Sequence, residues 1–201
     1  MAQPLTDSRR LEILESQGYR ELISGHLFAS AVRLAPGIDD KHVLLEQAGE
    51  ELAHFEVIAA MYERVCGKNL YDAVAARADA LPMPASWLEI TVAAYLVDRA
   101  AAVQLSAYEK LGDEQLGKLI HKILDHEHKH LTAAQTTLRD QCQANPEQSQ
   151  LAQQHVERWF PVARATLDAS PAAAAIAAAF ADSVRPTLNA CGLKLPPDAA
   201  A

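Results

Sequence analysis

The sequence predicts an all-α fold, a bundle of four long helices followed by two additional C-terminal helices. Apolar residues recur at intervals of three and four over long blocks. Only 5% of the residues are aromatic while 50% are apolar, with alanine abundant, a balance that suits helices packed on helices better than a β-sandwich. No segment alternates apolar and polar residues as a half-buried strand would.

The elements follow from the punctuation between the blocks. The first block covers about residues 5–34 and stops at Pro36-Gly37. The second begins at Asp39-Asp40, good N-cap residues, and ends at Cys66-Gly67. A short helix is expected at about 69–78, before Pro82 and Pro84. Ser86 and Glu89 then form a capping box that opens the third long helix, expected to end near Gly112. Asp113 caps the fourth, which runs to about residue 143 before Asn145-Pro146. A further helix spans about 146–158, with a kink or turn at Trp159-Phe160-Pro161 and a continuation to Asp168. The last opens at Ser170-Pro171, a cap followed by proline at the first helical position, and Pro186 is expected to end or kink it. The whole of 1–201 reads as a single domain, with the core bundle at about 5–144 and the C-terminal helices at about 146–186.

At 201 residues the chain is long enough to bury one sizeable core. The net charge of −8 favours solubility and argues against a general binder of nucleic-acid backbones, while leaving a small anionic substrate open. Three cysteines (Cys66, Cys142 and Cys191) are odd in number, far apart and match no metal-binding spacing, so they read as reduced thiols of a cytoplasmic protein. Residues 1–10 lack the apolar run of a secretory signal. The apolar stretch 171–181 is about 11 residues long, short of the roughly 20 a bilayer span needs, so no membrane attachment is expected.

The chemistry is concentrated in two short motifs. Glu51-Leu52-Ala53-His54 and Glu127-His128-Lys129-His130 are both Glu-x-x-His. At about 100° per residue, side chains three apart share one helix face, so each pair can reach one metal ion. The other two long helices supply a carboxylate each: Glu21 precedes Glu51 by 30 residues and Asp98 precedes Glu127 by 29. Hairpins of similar size bring both sets to similar depth, the pattern of di-iron helical bundles of the ferritin-like class. The flanking stripes are apolar or small: Leu14, Gln17, Glu21, Ser24 and Phe28; Tyr95, Asp98, Ala101, Ala102 and Leu105; Leu116, Ile120, Ile123, Glu127, His130 and Ala134. Charged groups on such stripes are costly unless paired or metal-bound. Four carboxylates offset two divalent ions and two imidazoles complete the set, which suits Fe(II) or Mn(II) better than soft metals. Glu51 and Glu127 are the expected bridges, with Glu21 and His54 on one ion and Asp98 and His130 on the other. Asp98 is one methylene shorter than glutamate, which leaves its metal more open.

Competing assignments exist for several residues. Asp125 and His128 form a rival pair, but their stripe with His121, Lys129 and Thr132 reads as solvated. Glu89 rivals Asp98, but the capping box explains it. Tyr95, one turn before Asp98, is a core tyrosine or a hydrogen-bond donor to the ligand shell. Trp159 and Phe160 read as packing anchors, and His26, His42, His121, His126 and His155 as ordinary histidines.

Tyr19-Arg20-Glu21-Leu22-Ile23, Glu50-Glu51-Leu52-Ala53-His54, Tyr95-Leu96-Val97-Asp98 and Glu127-His128-Lys129-His130 resemble the catalytic A subunit of phenylacetyl-CoA epoxidase. The likeness runs from about Tyr19 to Pro161 and is specific at the six ligand positions and their spacings. The chain is shorter than that subunit, with a compact segment between Gly67 and Ser86. The resemblance implies a di-iron centre on Glu21, Glu51, His54, Asp98, Glu127 and His130 that activates O2 and inserts one oxygen atom into the aromatic ring of a CoA thioester. It also implies a partner subunit and a flavin/iron–sulfur reductase; a homodimer is the alternative assembly.

These readings predict an O2-dependent di-iron monooxygenase that hydroxylates or epoxidises a small organic substrate, with two iron ions as cofactor and manganese as the alternative. No Gly-x-Gly-x-x-Gly and no cysteine cluster is present, so the electrons come from an external reductase. The rivals are a non-oxygenase ferritin-like protein that handles iron or peroxide, a tRNA hydroxylase, which the acidic balance disfavours, and a metal-free structural subunit.

Overall fold

The computed structural model describes residues 5–111, 113–144, 146–167 and 173–197. Among them are seven α-helices, one 3-10 turn and no strand: α1 (Asp7–Ala31), α2 (Ile38–Cys66), α3 (Leu70–Asp79), α4 (Trp87–Glu109), α5 (Glu114–Ala144), α6 (Pro146–Ala165) and α7 (Ala173–Ala190). The chain is all-α and ferritin-like, with α3, α6 and α7 added to the four long helices. Gly112, Asn145, Asp168, Ser170 and Pro171, which mark expected helix ends, lie outside the described residues.

The observed caps account for the boundaries. Thr6 accepts from the Arg9 amide to open α1. The 3-10 turn Val32–Leu34 ends α1, and the Lys41 ammonium donates to the carbonyls of Val32 and Ala35 at 2.8 and 3.0 Å. Gly37, rather than the expected Asp39 or Asp40, is the N-cap of α2; Asp40 sits one turn in and accepts from the Gly37 amide at 3.0 Å. Gly67 closes α2 in the left-handed conformation (φ 70°), which favours glycine. Asn69 caps α3, and Ser86 accepts from Glu89 N–H at 3.1 Å to cap α4. The return bond from Glu89 goes to the Ala85 amide, one residue before the expected partner. Asp113 caps α5 by accepting from Leu116 N–H at 3.0 Å.

Pro161 and Pro186 both lie inside their helices, so of the expected alternatives the turn at Pro161 and the helix end at Pro186 do not occur. Each lies on an exposed face, and the carbonyl four residues earlier belongs to Glu157 or Asp182, also exposed. Water can therefore serve the orphaned carbonyl and the ring meets no packed neighbour.

The chain gathers into two compact units: Met1–Met83 with Tyr108–Ile123, and Pro84–Ala107 with Leu124–Ala201. In the first, α2 returns along α1, and α3 packs on α1. Its core includes Leu14, Leu22, Phe28, Ile58, Leu70 and Ile120. Arg77 of α3 lies over the Tyr19 ring of α1, 3.4 Å from its centroid. Arg10 and Asp113 form an ion pair at 2.6 Å.

The second unit is built on Tyr95, Leu96, Leu138, Trp159, Phe160 and Phe180. The Phe160 and Phe180 rings stack at 5.0 Å, joining α6 to α7. Gln141 of α5 donates to Thr91 of α4, and Gln135 of α5 to Thr187 of α7, each at 2.9 Å. No helix among the described residues is long and apolar enough to cross a membrane.

Candidate metal centre

Glu21 lies at the middle of α1, between two glycines on the same stripe. A Cβ on Gly18 would come within 2.5 Å of Leu70 Cδ2, and one on Gly25 within 3.7 Å of Glu51 Cβ. The absence of a side chain at Gly18 lets Leu70 of α3 approach α1 closely beside Glu21, while at Gly25 the approach of α2 is looser. The buried stripe of α2 is Leu44, Ala48, Glu51, His54, Ile58 and Tyr62, so both motif residues of this helix point away from solvent.

That packing brings Glu21, Glu51 and His54 together. One ligand atom from each lies within 4.8 Å of the others, and all three residues are buried. Glu21 and Glu51 are each only 1% exposed and His54 6%. His54 Nδ1 is 3.0 Å from Glu21 Oε2, while the Gln17 amide, one turn earlier on α1, donates to Glu21 Oε1. Two carboxylates and an imidazole offer hard oxygen and borderline nitrogen donors in a dry site, which fits a divalent metal ion.

In the second unit, Asp98 on α4 and Glu127 and His130 on α5 are all buried. Glu127 and His130 stand one turn apart on one face, as their spacing predicted. Asp98 lies on the buried stripe with Tyr95, Ala101, Ala102 and Leu105.

The rival residues fall elsewhere. Asp125 and His128 are exposed. Glu89 is buried, and its Oε1 accepts from Arg158 at 2.6 Å and from the Trp159 indole at 2.9 Å, so it is a structural ion-pair centre as well as a cap. Trp159 is thereby a donor as well as an anchor. Tyr95 donates its hydroxyl to the Val184 carbonyl at 3.4 Å, tying α4 to α7. His121 pairs with Glu109 at 3.3 Å on the surface. A contact not anticipated from sequence lies two turns beyond His54, where Tyr62 donates to Glu15 at 2.5 Å; that bond and burial push the phenol well above its ordinary value.

An all-α ferritin-like chain whose long helices carry buried glutamates and histidines belongs to the class of helical carboxylate–histidine proteins that can hold metal. The model of the phenylacetic acid catabolic protein family matches residues 2–201, and the chain belongs to that family. Membership implies a role in phenylacetate catabolism. No curated protein matches the chain.

Proposed function

We propose that this protein is an O2-dependent di-iron monooxygenase acting on a small aromatic acyl compound, the CoA thioester being the form that the sequence resemblance implies. The observation that carries the reading is the buried group Glu21–Glu51–His54 in a chain of the phenylacetic acid catabolic family. Glu51 and Glu127 each open a Glu-x-x-His pair on a long helix and both are buried, which suits them to the bridging positions. In this reading Glu127 is the second bridge, Glu21 and His54 complete one ligand set, and Asp98 and His130 complete the other.

Two bound irons supply the reduction of O2 and the transfer of one oxygen atom to the substrate. The chain's own residues hold and tune that centre. Four carboxylates balance two divalent charges, so no net charge is left in the dry interior. Gln17 fixes the orientation of Glu21, as outer partners of metal ligands do. Leu14 and Phe28, buried on the same stripe as Glu21, keep bulk water away from it. Electrons come from a separate flavin/iron–sulfur reductase, and a partner subunit or second copy completes the assembly.

The test is reconstitution. Iron-loaded protein with a suitable reductase is expected to consume NADH only when phenylacetyl-CoA is present, and to yield an oxygenated product. Iron oxidation without an organic product would instead favour iron or peroxide handling. Metal content well below one ion per chain would remove the basis of both.

A further inference from the structure

Cys142 and Cys191 are far apart in sequence but adjacent in the second unit. Cys142 lies in the last turn of α5, Cys191 directly follows α7, and their thiols are hydrogen-bonded to one another. Both are buried. The backbone at Cys191 is held firmly. Its N–H donates to the carbonyls of Thr187 and Leu188 at 3.1 and 3.0 Å, and Leu193 N–H returns to Leu188 at 2.8 Å. Gly192 makes that closure in the left-handed region, at φ 71°. α6 straps the same segment, with Ser149 donating to the Cys191 carbonyl at 3.5 Å. Gln153 exchanges two bonds with the Lys194 backbone, at 2.8 and 3.1 Å. A cavity of about 750 Å³ opens on Cys142 and on Gly192, the neighbour of Cys191, and is also lined by Ser149, Gln153 and Lys194.

The two thiols are unequal. The hydrogen bond from Cys142 holds Cys191 below the ordinary thiol value; burial opposes this and the charge of Arg139 assists it. The same hydrogen bond, together with burial, pushes Cys142 far above that value. Those directions favour Cys191 as the thiolate of the pair and Cys142 as the thiol that keeps its proton.

We propose that Cys142 and Cys191 are a peroxide-oxidisable dithiol site that closes to a disulfide between the end of α5 and the end of α7. The Cys191 thiolate attacks one oxygen of hydrogen peroxide; the O–O bond breaks, the leaving oxygen takes a proton and departs as water, and Cys191 becomes a sulfenic acid. The Cys142 sulfur then forms the S–S bond as the S–O bond breaks, and the released hydroxide leaves as water with the Cys142 proton. Two thiols lose two electrons in all, and one peroxide becomes two waters. The bridge fastens the helix that bears Glu127 and His130. Cys66 belongs to the other unit, where its thiol donates to the Tyr62 carbonyl at 3.4 Å.

The experiment treats the whole protein with hydrogen peroxide near stoichiometry, quenches with catalase, blocks remaining thiols and maps tryptic peptides. The expected result is a fall from three free thiols to one, with peptide 140–158 linked to peptide 165–194, Cys66 still alkylated, and full reversal by dithiothreitol. Cys142→Ser is expected to leave a dimedone-reactive sulfenic acid on Cys191, and Cys191→Ser to leave Cys142 unreactive. The map of the unaltered protein decides the matter even where a variant fails to fold. Preferential oxidation of Cys66, oxidation of either thiol to sulfinic acid without a linked peptide, or no reaction would each overturn the proposal.

Discussion

His54 Nδ1 lies 3.0 Å from Glu21 Oε2, joining α2 to α1 within the first unit. Two donors each about 2.1 Å from one ion and at right angles to each other also lie about 3.0 Å apart. The spacing that makes a hydrogen bond is thus the spacing of two adjacent ligands, and helix packing alone sets it. Gly25 lies beside this pair: a Cβ there would stand 3.2 Å from Leu52 and in ordinary contact, 3.7 Å, with Glu51 Cβ.

Replacing a proposed bridging or terminal ligand tests the donor set. Glu51→Ala and His130→Ala are each expected to lose most of the bound metal while helical content stays nearly constant, since alanine is the strongest helix former. Metal analysis beside far-ultraviolet circular dichroism reads both quantities. Full metal content in the two variants would overturn the ligand assignment.

Gln17 makes a subtler test, because it touches Glu21 without belonging to the donor group. Gln17→Leu keeps the volume and burial of the side chain but removes the amide that orients Glu21 Oε1. Metal affinity is expected to fall roughly 10- to 100-fold, the usual effect of losing an outer hydrogen-bond partner. Competition titration against a chelator measures it, and an unchanged affinity would reduce Gln17 to a bystander.

The sequence made the along-helix part of this site legible. Leu14, Gln17, Glu21, Ser24 and Phe28 repeat at helical intervals, and all five are buried. Asp125 and His128 repeat the same motif spacing on a polar stripe, and both are exposed. Periodicity reports which face of one helix is dry; it does not report what lies opposite. The partners of Glu89 are 69 and 70 residues away, at Arg158 and Trp159, and no interval in the sequence announces them. The Cys142–Cys191 contact and the Tyr62–Glu15 bond were hidden for the same reason. The choice between a kink and a break at Pro161 and Pro186 was not legible, because it depends on whether the ring and the orphaned carbonyl stand on an exposed face, as they do here.

The two glycines flanking Glu21 are expected to respond oppositely to alanine. A Cβ at Gly18 would meet Leu70 Cδ2 at 2.5 Å, and Leu70 is fully buried, so it has no room to yield. Overpacking of roughly 1–3 kcal/mol then exceeds the gain of about 1 kcal/mol in helix propensity, and Gly18→Ala is destabilising. At Gly25 the nearest atoms belong to Leu52 at 3.2 Å, and Leu52 is 41% exposed and free to swing outward. Gly25→Ala is therefore neutral or stabilising by up to about 1 kcal/mol. Urea unfolding of the two variants measures the signs, and equal shifts would show that the packing around the two positions does not differ as described.

Acid sensitivity follows from two carboxyls that titrate below their ordinary values of 4.5 and 3.8, Glu89 and Asp113. For Glu89, burial opposes ionisation, but the Ala85 amide, the Trp159 indole and the Arg158 charge outweigh it. For Asp113, burial is likewise outweighed, by the Leu116 amide and by Arg10. A carboxyl that is more acidic in the folded chain takes up its proton first in the unfolded one. Its contribution is complete above those ordinary values and is lost as pH falls through the lower folded ones. Glu89→Gln removes the share of Glu89, so at neutral pH the variant is expected to be less stable by roughly 2 kcal/mol, the scale of hydrogen bonds to a charged group. The gap to the unaltered protein then narrows as pH drops, because its carboxyl is becoming neutral too. Urea midpoints followed from neutral pH into the acid limb report this directly. Two parallel curves would mean that the ion pair among Glu89, Arg158 and Trp159 contributes nothing to acid sensitivity, and that the loss of stability originates at other carboxylates.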